Sequence, residues 1–501
     1  MDHSSYRRIL KSSALIGGSS VLNVLLGIVR TKVLAVLIGA NGMGLFGALS
    51  SLTTLAGGIA GMGINASGIR QIAEAAGTSD QQGIARTAFV LRRTSLALGF
   101  VGMLGLLILC RPISKATFGD TSYAGAIALV SLAVLFTTVA AGEVALIQGL
   151  RRIRDLAALS VWSATLSTVV SLPIIYLFRE RGIAPFLLAV SLLSIATSWW
   201  YARKVVEIDR TPLQAPAVWR EAKALLGMGV VFMLSGLMGN GVAYLTRVIV
   251  IKQMGIEAAG LYQAAWTLSS VYVGFVLGAM GADYYPRLTT VARDNAEVNR
   301  LVSEQTEASL LMSLPGILGT LAFAPWVIHL LYSAAFEPAG DVLRWQILGT
   351  LGRVVSWPLG FVLLAKGRAR SFLCTELASN VVHLGLIWLG LKWFGLSGLG
   401  MAFLGLYVFY GLLVLIVVRR LTGFRWTTSN LQLGGGALIA TALVFLATGS
   451  GLPIGWGKAI GGLATGIAVI YAVSTLIRRA GYVGVGDAFL GIRNRIRVPH
   501  Q

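Results

Sequence analysis

Apolar stretches and short polar breaks alternate along almost the whole chain. Fourteen apolar stretches stand out, at roughly 12–38, 44–64, 86–110, 122–147, 156–178, 183–202, 224–251, 260–282, 308–332, 341–365, 372–391, 396–418, 431–449 and 459–477. Most reach the ~20 residues that a helix needs to cross a hydrocarbon core of ~30 Å. The pattern predicts an all-α polytopic membrane protein with about fourteen transmembrane helices.

Polar positions inside these stretches are ordered. Ser19, Asn23, Gly27 and Arg30 fall at i, i+4, i+8 and i+11, so they line one helix face. A fixed charge at that depth costs ~2.5 kcal/mol or more in lipid, so Arg30 is expected to face protein or a water-filled cavity. The device recurs. Asn240 and Arg247 repeat the spacing of Asn23 and Arg30, with Gly236 earlier on the same face. Gly255-Ile-Glu-Ala-Ala-Gly260-Leu-Tyr repeats Gly39-Ala-Asn-Gly-Met-Gly44-Leu-Phe, a tight turn between the first two helices, and Ala279-Met-Gly echoes Gly61-Met-Gly. This implies two six-helix lobes in pseudo-symmetric repeat, 1–202 and 224–425, with a binding site at their interface. Residues 203–223, with Pro212 and Pro216, read as the cytoplasmic linker. Residues 426–501, two further helices and a basic tail containing Arg493, Arg495 and Arg497, have no counterpart in the first half.

Composition agrees: 56% of the 501 residues are hydrophobic and 12% charged, and mean hydropathy is +0.77. The net charge of +21 raises the question of nucleic acid, but the placement of the charges answers it. About 29 of the 41 Lys and Arg fall in even-numbered loops and the two tails, and about 7 in odd-numbered loops. The bias places both termini in the cytoplasm and assigns the basic surplus to topology and anionic lipid, with no nucleic-acid partner. The N-terminal apolar run is too long for a signal h-region and shows no small-residue cleavage pattern, so the first helix is expected to be an uncleaved anchor. Cys110 and Cys374 are expected near opposite membrane faces and lack metal-ligand spacing.

Other polar groups mark the second half. Gln346, Gly349, Arg353 and Gly360 share one stripe, with Arg344 nearer the outer end. Glu376, Asn380 and His383 share another, at i, i+4 and i+7. Glu143 lies about two turns before the basic cluster Arg151, Arg152 and Arg154, and His329 reads as interfacial. Leu288, Val291, Val298, Leu301 and Val302 in the loop Asp283–Glu307 suggest an amphipathic helix on the inner membrane surface, with an ordinary solvated loop helix as the equal alternative.

No G-x-x-x-x-G-K-[ST] loop and no H-E-x-x-H occur, and the outward loops are short. Neither an enzyme nor a cofactor is expected. Arg30, Arg247 and Arg353, with Lys32 and Arg344, point to an anionic cargo, and a guanidinium fork suits phosphate or pyrophosphate. Asn23 and Asn240 share those faces. The competing reading pairs the three arginines with Glu143, Asp283 or Glu376 as structural ion pairs, with Lys32 and Arg344 snorkelling outward.

Three segments carry a family resemblance: G-I-V-R-T-K-V-L-A-V-L-I-G-A-N-G-M-G-L-F, L-L-Y-S-A-A-F-E-P-A-G-D-V-L-R-W-Q-I-L-G and G-F-V-L-L-A-K-G-R-A-R-S-F-L-C-T-E. They resemble the Wzx-type O-antigen and polysaccharide translocases of the MOP (MATE-like) exporter superfamily, over about residues 8–425. The Arg30-Thr31-Lys32 triplet is similar to the Arg-Asp of the MurJ lipid II flippases, whose cavity arginines face the lipid pyrophosphate; Thr31 stands here where those proteins have an acid. The resemblance implies a flippase that carries an undecaprenyl-pyrophosphate-linked oligosaccharide, an O-antigen or other polysaccharide (lipopolysaccharide) repeat unit, across the inner membrane by alternating access. It makes Arg30 and Arg247 the leading anion ligands. Partners would be the lipid-linked oligosaccharide, membrane lipid and polysaccharide polymerase or assembly proteins. Glu143, Asp283, Glu376 and His383 are the candidates for ion coupling. An ion-coupled multidrug exporter of the same superfamily is the alternative, and a scaffold subunit without transport is a third.

Overall fold

A chain this apolar must satisfy its backbone hydrogen bonds internally, and helices do so within each segment. The computed structural model describes residues 3–77, 80–204, 215–449 and 454–480, and among these no strand occurs. The α-helices in order are α1 (His3–Ala60), α2 (Ile64–Gly77), α3 (Gln81–Ile108), α4 (Cys110–Phe118), α5 (Ala124–Gly149), α6 (Ile153–Phe178), α7 (Ile183–Arg203) and α8 (Ala215–Thr290), followed by α9 (Asn295–Ala322), α10 (Ala324–Leu331), α11 (Ala339–Ala365), α12 (Ala369–Phe394), α13 (Ser397–Thr422), α14 (Thr428–Gly449) and α15 (Ile454–Ala480).

Nine helices among the described residues are long and apolar enough to cross a membrane, or eleven with two bent pairs each counted as one span. The difference from about fourteen has a simple source. Three of these runs, Gly18–Ala60, Ile153–Arg203 and the bent pair Gly236–Val271 with Val276–Thr290, each hold two of the predicted stretches.

The expected tight turn at Gly39–Met43 is narrower than the sequence suggested. Helical geometry fails only at Gly39 (φ 63°, ψ −167°), and α1 resumes at once. In α8 the same break falls at Gly255 (φ 90°, ψ 174°). Positive φ strains any residue with a Cβ, so the two glycines permit a sharp change of direction without a loop. Beyond each break the two helices meet backbone to backbone. A Cβ at Gly44 would overlap the carbonyl oxygen of Ile256, and a Cβ at Gly260 would overlap that of Ala40.

The described residues form two compact units. One takes in the chain up to Ala264 with His329–Glu337; the other takes in Ala265–Ile328 and the chain from Pro338 onward. In the first, α5 packs between α3 and α7, and α1 packs on α6. The predicted linker overlaps residues 205–214, outside the described residues, and residues 215–223 already belong to α8. There Glu221 pairs with Arg86, and Ala222 and Leu225 pack on Val90 of α3. In the second unit α13 packs against α11 and α12, and α9 against α11, α14 and α15.

The predicted surface helix at Asp283–Glu307 is not one. Leu288, Val298, Leu301 and Val302 are buried with Leu359, Val362, Val414 and Val418 in a core of α8, α9, α11 and α13. The apolar periodicity was real, but its face meets other helices rather than lipid headgroups. The basic tail residues Arg493, Arg495 and Arg497 lie outside the described residues.

Candidate functional site

Arg247 is the most deeply placed of the predicted cargo ligands. Its residue is only 6% exposed. Nε and Nη2 donate to Gln263 Oε1 at 3.1 and 2.6 Å, and Nη1 donates to the Ala243 carbonyl at 2.6 Å. The guanidinium carbon lies 5.9 Å from the Tyr262 ring centroid. Every partner is neutral, and among the described residues Arg247 forms no ion pair. A buried cation without an anion costs free energy that neutral acceptors only partly return.

That charge borders open space. Arg247, Asn240, Gln263, Ser50, Ser51 and Thr54 line a cavity of about 180 Å³. Thr54 and Asn240 also line a second cavity of about 390 Å³, with Thr53, Asn65, Thr137, Thr138 and glycines 57, 58, 61 and 63. Neither lining contains a carboxylate. One cation, amides, hydroxyls and bare backbone suit an anionic or hydroxyl-rich guest. Gln263 was not found from the sequence. It lies beyond the Gly255 break, where helical periodicity from Arg247 no longer holds. A signal was present, since Gln263 stands where the first repeat has Gly47, and a Cβ at Gly47 would come within 2.7 Å of Gln263 Oε1.

The equivalent pair in α1 is placed differently. Asn23 Nδ2 donates to Ser160 Oγ, and Arg30 Nη1 reaches Ser167 Oγ at 3.4 Å. Both contacts span 137 residues, so α1 and α6 run parallel with the polar face of α1 on a serine row. Arg30 forms no ion pair among the described residues. Lys32 Nζ donates to the Leu330 carbonyl, at the end of α10.

The remaining predicted residues divide into tied and free. Arg344 is tied: Nη2 donates to the Phe445 carbonyl at 2.6 Å and to Thr448 Oγ1 at 3.2 Å. Its guanidinium lies 4.7 Å from the Phe445 ring, and Asp341 is 3.5 Å away, so it fastens α11 to α14. Glu143 is tied to Arg92 through two bonds of 2.7 and 2.9 Å. Asp283 pairs with Arg287 of the same helix at 3.1 Å, with 72% of its side chain exposed. His383 is buried edge-on to Phe403. Arg353 and Glu376, by contrast, line one cavity of about 300 Å³ with Asn380, Trp357, Tyr407 and Tyr410. Arg353 forms no ion pair among the described residues, and Glu376 accepts a hydrogen bond from Tyr410. Between α9, α14 and α15 lies an apolar groove of about 520 Å³, lined mostly by Leu, Ile, Val and Ala. At one end Glu307 accepts from Ser429 at 2.9 Å. Among the described residues no cluster of His, Cys, Asp and Glu could hold a metal ion.

Comparison with known proteins gives this architecture its place. A family model described as "Polysaccharide biosynthesis protein" matches residues 33–341. The Lipid III flippase of Escherichia coli (strain K12) is 25% identical over 389 residues, covering 74% of this chain and 88% of that protein. An inward-facing multidrug resistance MATE family transporter of the MOP superfamily matches the structure with a TM-score of 0.64 at 15% identity, over 80% of this chain and 94% of that one. The Lipid II flippase MurJ in an inward closed conformation matches with a TM-score of 0.61 at 12% identity, over 94% and 99%. The fold is therefore that of the MOP superfamily transporters, and the chain belongs to the polysaccharide biosynthesis protein family.

Proposed function

We infer that this protein is a transporter rather than an enzyme. It flips a polyprenyl-pyrophosphate-linked oligosaccharide, an O-antigen or other polysaccharide repeat unit, from the cytoplasmic to the periplasmic leaflet of the inner membrane. The observation that carries the reading is Arg247: a buried guanidinium with neutral partners only among the described residues, at the edge of a cavity without a carboxylate in its described lining. In a site of low dielectric such a cation binds a pyrophosphate oxygen more strongly than it would in water. The relative named as a Lipid III flippase supports a lipid-linked cargo. Asn240 and the hydroxyls of Ser50, Ser51 and Thr54 supply hydrogen bonds beside the charge. Arg30, held to the serine row of α6, is the second cation of the same reading. A multidrug exporter for cationic drugs would need an acid in the Arg247 cavity, and none lines it.

The ion coupling of this reading is by proton at Glu376, since a metal cation there would share its cavity with the Arg353 guanidinium. Glu143 and Asp283 are each bound to an arginine and His383 is packed on Phe403, whereas Glu376 faces a cavity. Both termini are cytoplasmic by the distribution of Lys and Arg, and polysaccharide polymerase or assembly proteins would receive the flipped unit.

The test is complementation of a translocase-deficient strain, with surface polysaccharide as readout and membrane expression checked. Wild type should restore polysaccharide, Arg247→Ala should abolish it, and Arg30→Ala should lower it. Gly27→Ala, where a Cβ meets no atom within 4 Å, should behave as wild type. Full activity of Arg247→Ala would remove the anion site from Arg247. Failure of wild type in strains lacking different polysaccharide translocases, despite normal insertion, would count against the flippase reading itself.

A further inference from the structure

The cavity of Arg353 and Glu376 differs from the Arg247 cavity in one respect that decides its ligand: it carries both signs of charge. Both side chains line it, and they form no ion pair with each other. An inorganic cation at Glu376 would sit in a cavity that also holds a guanidinium, with no second carboxylate in the lining. An inorganic anion at Arg353 would meet the Glu376 carboxylate. A neutral guest rich in hydroxyls satisfies both, because each hydroxyl donates to the carboxylate or accepts from the guanidinium.

Two further features point the same way. Asn380 and Ser379 line the cavity, and among the described residues Asn380 Nδ2 and Ser379 Oγ have no hydrogen-bond partner. Unpaired polar atoms are costly, so turning either side chain towards a guest oxygen in the cavity its residue lines would gain a hydrogen bond that the empty cavity does not give. Trp357 and Tyr407 line the same space. Aromatic faces cover apolar C–H surface, which a pyranose ring presents on one side while its hydroxyls point outward from the rim. The volume of about 300 Å³ is at the lower end for ligand sites, the scale of a single sugar ring rather than a chain.

We propose that the cavity formed by α11, α12 and α13 is a saccharide subsite that holds one neutral pyranose ring. Glu376 accepts from ring hydroxyls, Arg353 and Asn380 donate to ring oxygens, and Trp357 or Tyr407 covers the C–H face. The proposal rests on the reading that the cargo carries sugar. It assigns recognition of the sugar to a place separate from Arg247.

Saturation-transfer difference NMR on the full chain in nanodiscs tests it, with no sugar-based detergent present to fill the site. The probes are D-glucose, D-galactose and N-acetyl-D-glucosamine, with glycerol as an open-chain polyol and sodium chloride as a competitor. Wild type should transfer saturation to at least one pyranose and not to glycerol. Asn380→Leu and Arg353→Leu should each weaken that binding at least tenfold while melting as wild type does. Ser379→Ala, a smaller change, should weaken it severalfold. The proposal is overturned if wild type transfers to none of the three pyranoses, if glycerol competes equally, if sodium displaces the sugar, or if the variants bind unchanged. Complementation separates the two readings. A wild type that restores surface polysaccharide but binds no pyranose sinks the subsite alone, whereas a wild type that binds pyranose but restores nothing sinks the flippase reading.

Discussion

Replacing one member of the Arg92–Glu143 pair should harm the protein more than replacing both. The Glu143 side chain is 4% exposed and that of Arg92 19%, and the two are joined by bonds of 2.7 and 2.9 Å between α3 and α5. Removing one partner of a buried pair costs about 3–5 kcal/mol, because it strands the other charge. Arg92→Leu strands a carboxylate that is almost fully enclosed, so it belongs at the upper end. Glu143→Leu strands a guanidinium that still touches solvent, so it belongs at the lower end. Replacing both by leucine removes the stranded charge and should come within ~1 kcal/mol of wild type. The coupling in a double-mutant cycle should therefore be at least ~5 kcal/mol, far outside the ~0.5 kcal/mol scatter of independent sites. The assay is thermal unfolding of the purified protein at fixed pH and detergent. Each single variant should lose several degrees and the double variant should regain most of them. Additive losses would refute the reasoning. A folded double variant also tests Glu143 as a coupling group, since gradient-dependent flipping that survives without Glu143 leaves the pair a strut.

Three further outcomes follow from the geometry. Gly44→Ala and Gly260→Ala each press a Cβ into a neighbouring carbonyl, so both should lose surface polysaccharide in the complementation assay. Gln263→Leu removes the acceptor of two Arg247 N–H groups, and its export should fall towards that of Arg247→Ala. Arg344→Ala frees the Phe445 carbonyl and Thr448 from a charged donor; a loss of about 1.5–3 kcal/mol should appear as a lower melting temperature, with inorganic pyrophosphate binding unchanged.

The sequence disclosed faces more readily than partners. The predicted apolar stretches fall mostly on helices, with 44–64 running past the end of α1 and 308–332 crossing the 79° bend between α9 and α10, and the repeat matched Gly39 to Gly255, the two positions where α1 and α8 break. Periodicity also grouped Asn240 with Arg247 and Glu376 with Asn380, and each pair lines one cavity. What periodicity does not carry is the identity of the helix that a face meets. Glu143 is 51 residues from Arg92 in the chain, and nothing local to either residue names the other. The apolar face of Leu288, Val298 and Leu301 had the pattern of a membrane-surface helix, yet it meets α11 and α13, because lipid and protein interior present the same apolar surface to a pattern. Arg30 and Arg247, equivalent by sequence, acquired different surroundings because the serine row of α6 faces one and Gln263 the other.

The glycine contacts explain how such a cavity can be walled by backbone alone. In the first compact unit, α1 beyond Gly39 and α8 before Gly255 flank the hydroxyl-lined space of Asn240, Thr53 and Thr54. Near one end Gly44 and Gly260 bring the two chains into reciprocal backbone contact, with Ile256 and Ala40 as the facing residues. The interval from Ala40 to Ile256 equals that from Gly44 to Gly260, so the contact is a local two-fold made by two copies of one sequence motif. At another boundary of the same space Gly63 meets Gly229, and a Cβ on either would overlap the other segment's backbone. Seams of this kind exclude water as well as interlocked side chains do, because backbones approach to van der Waals distance. At the glycines themselves, parting the seam draws no side chain out of a socket. A seam built from bulky side chains would resist parting through its own packing, since close-packed interiors shift between discrete arrangements rather than yielding gradually. Glycine at both boundaries therefore lets the walls of the polar cavity close to backbone contact, a seam with fewer interlocked side chains than bulky residues would give it.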